Sequence, residues 1–260
     1  MTWRRVLIVI LIGVFLYSSY ELITYYYDAY KNKTTYDDIR KQYEEQLKLE
    51  EEQTAPPDAN HLPDKDTDSV PDEPAIMDRY LPLLEINKDI VGWISVPDTV
   101  IDYPVVQAED NNYYLRRDIY GERARAGTIF MDYRCKADCS GKHTILYGHH
   151  MRNGTMFKDL MKYKNKEFFQ NNTLIRFDTL YDEITWEVFS VYITSASFNY
   201  IQTSFASDEE YIAFLNTIKE KSMFESSVEL SEDDQILTLS TCTYEYDNAR
   251  FVVHARRVRK

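Results

Sequence analysis

The hydrophobic and polar positions of this chain fall into three successive patterns. An apolar run extends from Val6 to Tyr17, and the uncharged stretch continues to Tyr20. A strongly polar segment follows, over about residues 31–75. From residue 76 onward, short runs rich in β-branched and aromatic residues alternate with turns containing Gly, Pro, Asp and Asn, which is the pattern of many short strands. The chain therefore predicts an N-terminal segment, a polar connection and one mainly β domain.

The domain after residue 76 is predicted to contain about eight short strands and few helices. One or two short helices are expected over 76–90, and others over 111–117, 154–170 and 208–221. The helix over 154–170 is expected to break near Lys164–Asn165, and the helix over 208–221 has Ser207 as its N-cap. The predicted strands are 92–96, 101–106, 127–131, 143–147, 174–180, 183–194, 235–242 and 250–255. Strands of this number and length favour a β-barrel.

The apolar N-terminal segment predicts a membrane anchor over residues 1–30. Its uncharged part is somewhat shorter than the roughly 20 residues of a spanning helix, but Leu22, Ile23 and the tyrosines at 25–27 can extend it. Arg4 and Arg5 precede it, which favours a cytoplasmic N-terminus and an extracellular domain. A cleaved signal peptide is the alternative, although no small-x-small cleavage site follows Tyr17. Both interpretations export the rest of the chain.

Residues 31–75 are predicted to form an acidic stalk. Residues 31–53 have a helical composition, and residues 54–75 contain five prolines among acids, as an extended linker does. Between Lys31 and Asp78 there are 6 basic and 14 acidic residues, so −8 of the net charge of −13 lies there. We expect a solvated spacer, and a catalytic domain over 76–260 that folds without it. No basic patch of the kind that binds nucleic acid is present.

The three cysteines present separate questions. Cys135 and Cys139 share a polar, turn-rich loop, in which they could be unpaired thiols or a disulfide. With His143 they also resemble a metal site, but three ligands at this spacing are a weak signal. Cys242, in contrast, ends the apolar run that begins at Gln235, where a strand would present a thiol at its edge.

Two other groups suited to thiol chemistry stand at predicted strand ends. His149 follows the strand 143–147, and Arg250 opens the last strand. Cysteine can serve as a nucleophile, histidine can transfer protons, and arginine can hold developing negative charge, so the three residues predict an acyl-transfer site. His150 should face the opposite way from His149. His254 lies about 13 Å along the strand from Arg250 and is interpreted as structural.

The segment Thr238-Leu239-Ser240-Thr241-Cys242 matches the TLxTC signature of the sortase family. Tyr147-Gly148-His149 resembles the histidine segment of that family, and Arg250 stands where its arginine follows the cysteine. The helices before the first strand and the long helix 208–221 make the chain most similar to class B sortases. The resemblance covers about residues 76–260. It implies an eight-stranded sortase-type β-barrel with N-terminal helices and a long helix before the penultimate strand.

The resemblance also implies a membrane-anchored cysteine transpeptidase without a cofactor or metal. Cys242, His149 and Arg250 would be catalytic, and an NPxTx-like sorting signal of a surface protein would be cleaved after Thr. An amine of a cell-wall precursor would then resolve the thioacyl enzyme. Ser240, Thr241 and Tyr200 are the candidate substrate-binding residues. The chain departs from papain-like enzymes because no Asp or Asn can be assigned to orient the histidine.

Three alternatives remain open from the sequence. A pilus-associated sortase would join or anchor pilins with the same chemistry, although the aspartate–proline–aromatic lid and the C-terminal membrane helix of class C polymerases are absent from the sequence. A hydrolytic cysteine peptidase would share only the first step. A membrane-anchored binding protein with a degenerate site would carry out no chemistry, which the intact Cys, His and Arg argue against.

Overall fold

Eight strands form a closed barrel in the computed structural model, which describes residues 2–54, 75–243 and 245–259. Around the barrel the strands lie in the order β1-β2-β3-β4-β7-β8-β6-β5. Their bounds are β1 Ile90–Ser95, β2 Asp102–Val106, β3 Ile129–Met131, β4 His143–Tyr147, β5 Leu174–Thr179, β6 Thr185–Ser195, β7 Ile236–Cys242 and β8 Ala249–Arg257. The predicted barrel is confirmed.

The helices lie outside the barrel. Their bounds are α1 Thr2–Thr54, α2 Leu81–Ile86, α3 Lys166–Asn171 and α4 Asp208–Glu220. Ser207 caps α4 as predicted, because its side chain accepts a hydrogen bond from the Glu210 amide. The expected helix over 154–170 is instead a 3₁₀ segment, Phe157–Lys164, followed by α3. The predicted break is at Asn165, whose side chain accepts from the amides of Glu167 and Phe168. A single 3₁₀ turn, Tyr114–Arg116, replaces the helix expected over 111–117.

Strands β7 and β8 separate two packed layers. Side chains alternate across a strand, so Leu237, Leu239 and Phe251 pack inside the barrel, whereas Ile236 and Val252 pack outward beneath α4. The outward row of β7 continues from Ile236 through Thr238 and Ser240 to Cys242. This row begins at Ile236 in the apolar layer under α4 and ends at the Cys242 thiol. The thiol therefore lies on the outer face of the barrel.

The second half of α1 packs on the barrel. Tyr36, Ile39 and Tyr43 follow a three- and four-residue spacing, which puts them on one face of the helix, and all three are buried. Tyr43 stacks on Trp93 with ring centroids 4.1 Å apart. The Tyr36 hydroxyl donates to Thr128 Oγ1 at 3.0 Å.

The prediction of a solvated spacer is therefore wrong for the described part of this segment, which packs on the barrel. Arg40 pairs with Asp102 of β2, and the buried Arg79 pairs with both Glu50 of α1 and Glu183. The sequence pattern did not predict this packing because most of the charged residues of 31–53 lie on the exposed faces of the helix and outnumber the apolar residues of the buried face. The predicted linker falls largely on residues 55–74, which lie outside the described residues.

Deleting residues 1–75 should destabilise the domain. A chain that begins at residue 76 loses three buried side chains of α1, each worth about 1.5–3 kcal/mol of buried apolar surface, and leaves Trp93 uncovered. We expect a free energy of unfolding lower by roughly 4 kcal/mol or more than that of a chain that begins at residue 31, as measured by urea denaturation. Tyr43→Ala in the longer chain should give part of this loss. Equal midpoints for the two chains would show that the α1 packing is not stabilising.

The two loop cysteines are free, buried thiols. Burial raises the pKa of Cys135 and of Cys139 to about 12, so both stay protonated at neutral pH. The Cys135 thiol donates a weak hydrogen bond to the His143 carbonyl at 3.4 Å. Of the alternatives that the sequence left open, the structure has the unpaired thiols, which pack as small apolar side chains.

Candidate active site

Cys242 and Arg250 face each other across two neighbouring strands. Cys242 is the last residue of β7, and Arg250 is its direct partner in the antiparallel register with β8. Directly opposed residues project to the same side of a sheet with Cβ atoms about 5 Å apart. The buried strand carries the thiol to the barrel rim, where Cys242 becomes partly exposed. The guanidinium is thus placed on the side of the sheet to which the thiol points.

His149 reaches the same rim from β4. This strand pairs in parallel with β7, and Tyr147 lies beside Ser240 in the register. Two residues further along each strand come His149 and Cys242. Gly148 makes this approach possible, because a Cβ there would lie 2.5 Å from the Ile129 side chain. The Gly148 amide also donates to the Ser240 carbonyl at 3.2 Å, so the histidine segment is bound directly to the cysteine strand.

The three predicted residues line one cleft of about 200 Å³. Phe130 and Tyr147 form part of its apolar wall, and Ser240 and Thr241 of β7 also line it. An apolar wall with a few convergent polar groups is typical of a ligand-binding cleft. The structure therefore brings together Cys242, His149 and Arg250, which are far apart in sequence.

A backbone carbonyl orients the histidine. His149 Nε2 lies 2.7 Å from the Leu115 carbonyl oxygen, which can only accept, so Nε2 carries the proton and Nδ1 remains available for proton exchange. Gly127 supports this arrangement: it has φ +59°, and a Cβ there would lie 2.7 Å from the Leu115 oxygen. The carbonyl takes the position of the third group that sequence reasoning did not find. Every residue has a carbonyl, so the sequence does not distinguish Leu115 as the residue that supplies it.

His150 contacts the nucleophile strand rather than the cleft. Its Nδ1 lies 3.0 Å from the Cys242 carbonyl oxygen. Burial lowers the pKa of His150, which favours the neutral ring as a hydrogen-bond partner. The contact fixes the backbone at the end of β7, so the two adjacent histidines have different surroundings, as the alternation of side chains predicted.

The three candidate substrate-binding residues have different positions. Ser240 and Thr241 line the cleft, and Thr241 Oγ1 is buried without a hydrogen-bond partner among the described residues. Tyr200 is 3% exposed, and its hydroxyl lies 2.9 Å from Ser240 Oγ. Tyr200 thus contacts the cleft through Ser240 and packs beneath it.

A buried hydrogen-bonded chain fixes the loop that carries Tyr200. His143 Nδ1 donates to the Gln202 carbonyl at 2.7 Å, and its Nε2 accepts from Thr238 Oγ1 at 2.6 Å. Thr238 in turn accepts from His254 Nδ1, and Tyr192 donates to His254 Nε2, both at 2.7 Å. Because the Gln202 carbonyl can only accept, it fixes the direction of all four hydrogen bonds. Each histidine ring then has one nitrogen that donates and one that accepts, which is the neutral form. His254 is structural, as the sequence analysis interpreted it.

Acidification should destabilise the domain through this chain. Burial lowers the pKa of His143 to about 4 and that of His254 well below its usual value. An unfolded histidine titrates near 6.5, so the unfolded state binds more protons as the pH falls from 6.5 to 4, and the stability present above pH 6.5 is lost over that range. His143 alone accounts for roughly 3 kcal/mol of this loss.

Urea unfolding at a series of pH values tests this coupling. His143→Gln lowers stability at pH 7 but should flatten the slope between pH 6.5 and 4. His149→Gln, a matched change at the cleft, should keep the slope of the unsubstituted chain. An unchanged slope in His143→Gln would show that His143 does not carry the pH dependence.

Comparisons with known proteins agree with this geometry. Residues 94–258 match the family profile described as Sortase domain. Sortase B of Listeria monocytogenes is 36% identical over 98% of this chain and 96% of its own length, and sortase B of Staphylococcus aureus is 33% identical over 100% and 97%.

Solved structures give the same result. Sortase B of Bacillus anthracis superposes with a TM-score of 0.74 at 39% identity, covering 90% of this chain and 100% of that one. A Staphylococcus aureus sortase B–substrate complex also has a TM-score of 0.74, at 34% identity, covering 88% and 97%. On its motifs, its barrel and these full-length similarities, the chain belongs to the sortase family of cysteine transpeptidases and is a class B sortase.

Proposed function

We propose that this sortase is a membrane-anchored enzyme that cleaves an NPxTx-like sorting signal after Thr and attaches the protein to a cell-wall amine. The observation that carries the proposal is the single cleft lined by Cys242, His149 and Arg250. The apolar first part of α1, which is long and apolar enough to cross a membrane, supports the anchor. Arg4 and Arg5 at its start favour a cytoplasmic N-terminus and an extracellular catalytic domain.

The first half-reaction forms a thioacyl enzyme. The Cys242 sulfur, as thiolate, attacks the Thr carbonyl carbon, and the guanidinium of Arg250 donates hydrogen bonds to the oxyanion of the tetrahedral intermediate. When the intermediate collapses, the C–N bond breaks and the protonated His149 gives its Nδ1 proton to the leaving amine. The Leu115 carbonyl holds the ring so that Nδ1 remains the exchanging atom.

The second half-reaction reverses these roles. An incoming amine attacks the thioester carbonyl, His149 Nδ1 accepts its proton, and the Cys242 thiolate departs as the new amide bond forms. With water as the acceptor the same steps would yield a free carboxylate. Transpeptidation therefore depends on which nucleophile reaches the cleft first, and the apolar wall at Phe130 and Tyr147 disfavours ordered water there.

We assign the sorting signal to the groove formed by Ser240 and Thr241. Ser240 lies on the same outward row of β7 as Cys242, and Thr241 lies between them in the strand, so both line the path of an extended peptide that reaches the thiol. Tyr200 fixes the Ser240 hydroxyl and thereby the shape of the groove. A Staphylococcus aureus sortase B of the same fold has been solved as a substrate complex, which supports substrate binding by this fold.

Mass spectrometry of peptide reactions tests the proposal. Purified full-length chain is incubated with an NPxTx peptide, with and without an oligoglycine or diamino-acid acceptor. We expect cleavage after Thr, a trapped enzyme adduct at Cys242 and a ligated product that appears only with an acceptor. A peptide with Thr replaced by Val is the matched control and should react far more slowly. Cleavage that yields only hydrolysis with every acceptor would favour a peptidase instead.

A further inference from the structure

An arginine-rich loop packs against α1 where that helix leaves its apolar segment. This loop, residues 113–125, is called the arginine loop below. Arg125 contacts Glu21 at 3.5 Å and Asp28 at 3.3 Å, and Lys31 of α1 pairs with Glu122 of the loop at 2.6 Å. Glu21 is the first charged residue after the apolar run of α1. The loop is therefore fixed to the helix directly beyond the part that would lie in hydrocarbon.

The height of the loop follows from helix geometry. Glu21 and Asp28 are seven residues apart on one continuous helix, which corresponds to about 10 Å along its axis. The headgroup region on each side of a bilayer is about 5–8 Å thick. Arg125 contacts both acids, so the arginine loop meets α1 within this stretch. The end of the loop that carries Arg125 therefore lies next to the headgroups when α1 spans a membrane.

The side chains of the loop suit an anionic lipid surface. Arg116, Arg117 and Arg123 are exposed, and Arg116 and Arg123 form no ion pair with any described residue. Tyr113 and Tyr120 are 44% and 53% exposed beside them, and tyrosine is enriched at membrane interfaces. The chain as a whole carries −13, so this positive, aromatic surface runs against its overall charge. Phosphates of lipids are the counter-charges expected at that level.

We propose that the arginine loop binds the headgroups of anionic glycerophospholipids and so holds the catalytic cleft near the membrane surface. The inference rests on the proposed membrane anchor. It also connects the membrane to the chemistry, because Leu115 of the same loop orients His149. The cleft would therefore be presented at a fixed height above the bilayer instead of at the end of a free spacer.

Fluorescence quenching in reconstituted vesicles tests the proposal. The full chain carries Trp3→Phe and Tyr120→Trp, which leaves the buried Trp93 and Trp186 as background. Vesicles contain phosphatidylcholine with or without 30% phosphatidylglycerol, and a trace of lipid with a nitroxide on its headgroup. We expect the introduced indole to be quenched at least about twofold more in the anionic vesicles. Arg116→Gln, Arg117→Gln and Arg123→Gln together should abolish that difference.

A charge-matched control distinguishes the arginine loop from net charge. Lys88→Gln, Lys136→Gln and Lys166→Gln remove the same charge from other exposed positions and should leave the quenching unchanged. Equal quenching in both vesicle types, or equal loss in both triple variants, overturns the proposal while the anchor stands, provided that the chain floats with the vesicles. A chain that does not float with vesicles overturns both the anchor and this proposal. Peptide cleavage in detergent reports on the transpeptidase chemistry separately.

Discussion

Replacing Cys242 with alanine should abolish cleavage of an NPxTx peptide. Among the described residues that line the cleft, Cys242 carries the one thiol, since Cys135 and Cys139 are buried elsewhere with raised pKa values. Removal of a catalytic nucleophile leaves only binding and oxyanion stabilisation, so we expect kcat/KM to fall by at least about 10⁴-fold. Cys242 is partly exposed at a strand end, and its loss should create no core cavity.

The measurement is product formation by mass spectrometry, with thermal unfolding as the check on folding. We expect the melting temperature to change by less than about 2 °C, because the substitution removes one partly exposed atom and therefore little buried surface. Cys139→Ala is the matched control: it should lower stability more and activity far less. A Cys242→Ala enzyme that still cleaves at near the original rate would exclude the thioacyl mechanism.

The strand pattern made the barrel and the meeting of the candidate catalytic residues predictable. In β7 the alternating positions are divided between the barrel interior and the layer under α4, so both sides are buried, and the β-branched and apolar run from Ile236 is typical of a buried strand. A thiol at the end of such a strand is conspicuous. The adjacent antiparallel strand then places Arg250 opposite it through a short connection, which is a local relation that sequence spacing can express.

The packing of α1 could not be predicted from the same pattern. The side chains of Tyr36, Ile39 and Tyr43 are separated by charged residues, and what they contact lies far along the chain, at Trp93 and Thr128. A helix of this composition is equally suited to a solvated spacer. The position of the barrel surface decides which face of the helix is buried, and the composition of the helix does not predict that position.

The orientation of His149 was also beyond the sequence. The group that contacts its ring is the Leu115 carbonyl, in a loop 34 residues away. The indirect signal was Gly127, whose positive φ and close approach to that carbonyl exclude a side chain. A glycine alone does not reveal which distant group needs the space, so backbone groups that complete an active site are found only once the fold is known.

Substituting Arg250 with lysine should separate oxyanion binding from simple positive charge. Lysine keeps the charge but loses the planar fork of donors, so it cannot offer two hydrogen bonds from one fixed plane. We expect kcat/KM for the NPxTx peptide to fall by roughly 10²-fold or more, the scale of losing one oxyanion donor, with most of the change in kcat. The direct pairing of Arg250 with Cys242 makes this the residue best placed for that role.

Arg256→Lys provides the matched control for this experiment. Arg256 lies on the same face of β8 as Arg250 but forms an ion pair with Glu187, away from the cleft. Its substitution should change kcat/KM by less than about twofold, because a partly exposed ion pair contributes little. A decrease of under about threefold for Arg250→Lys, or equal decreases in both variants, would return Arg250 to a structural role. Formation of the thioacyl adduct by Arg250→Lys at the original rate would also contradict oxyanion binding, since the oxyanion already forms in the first half-reaction.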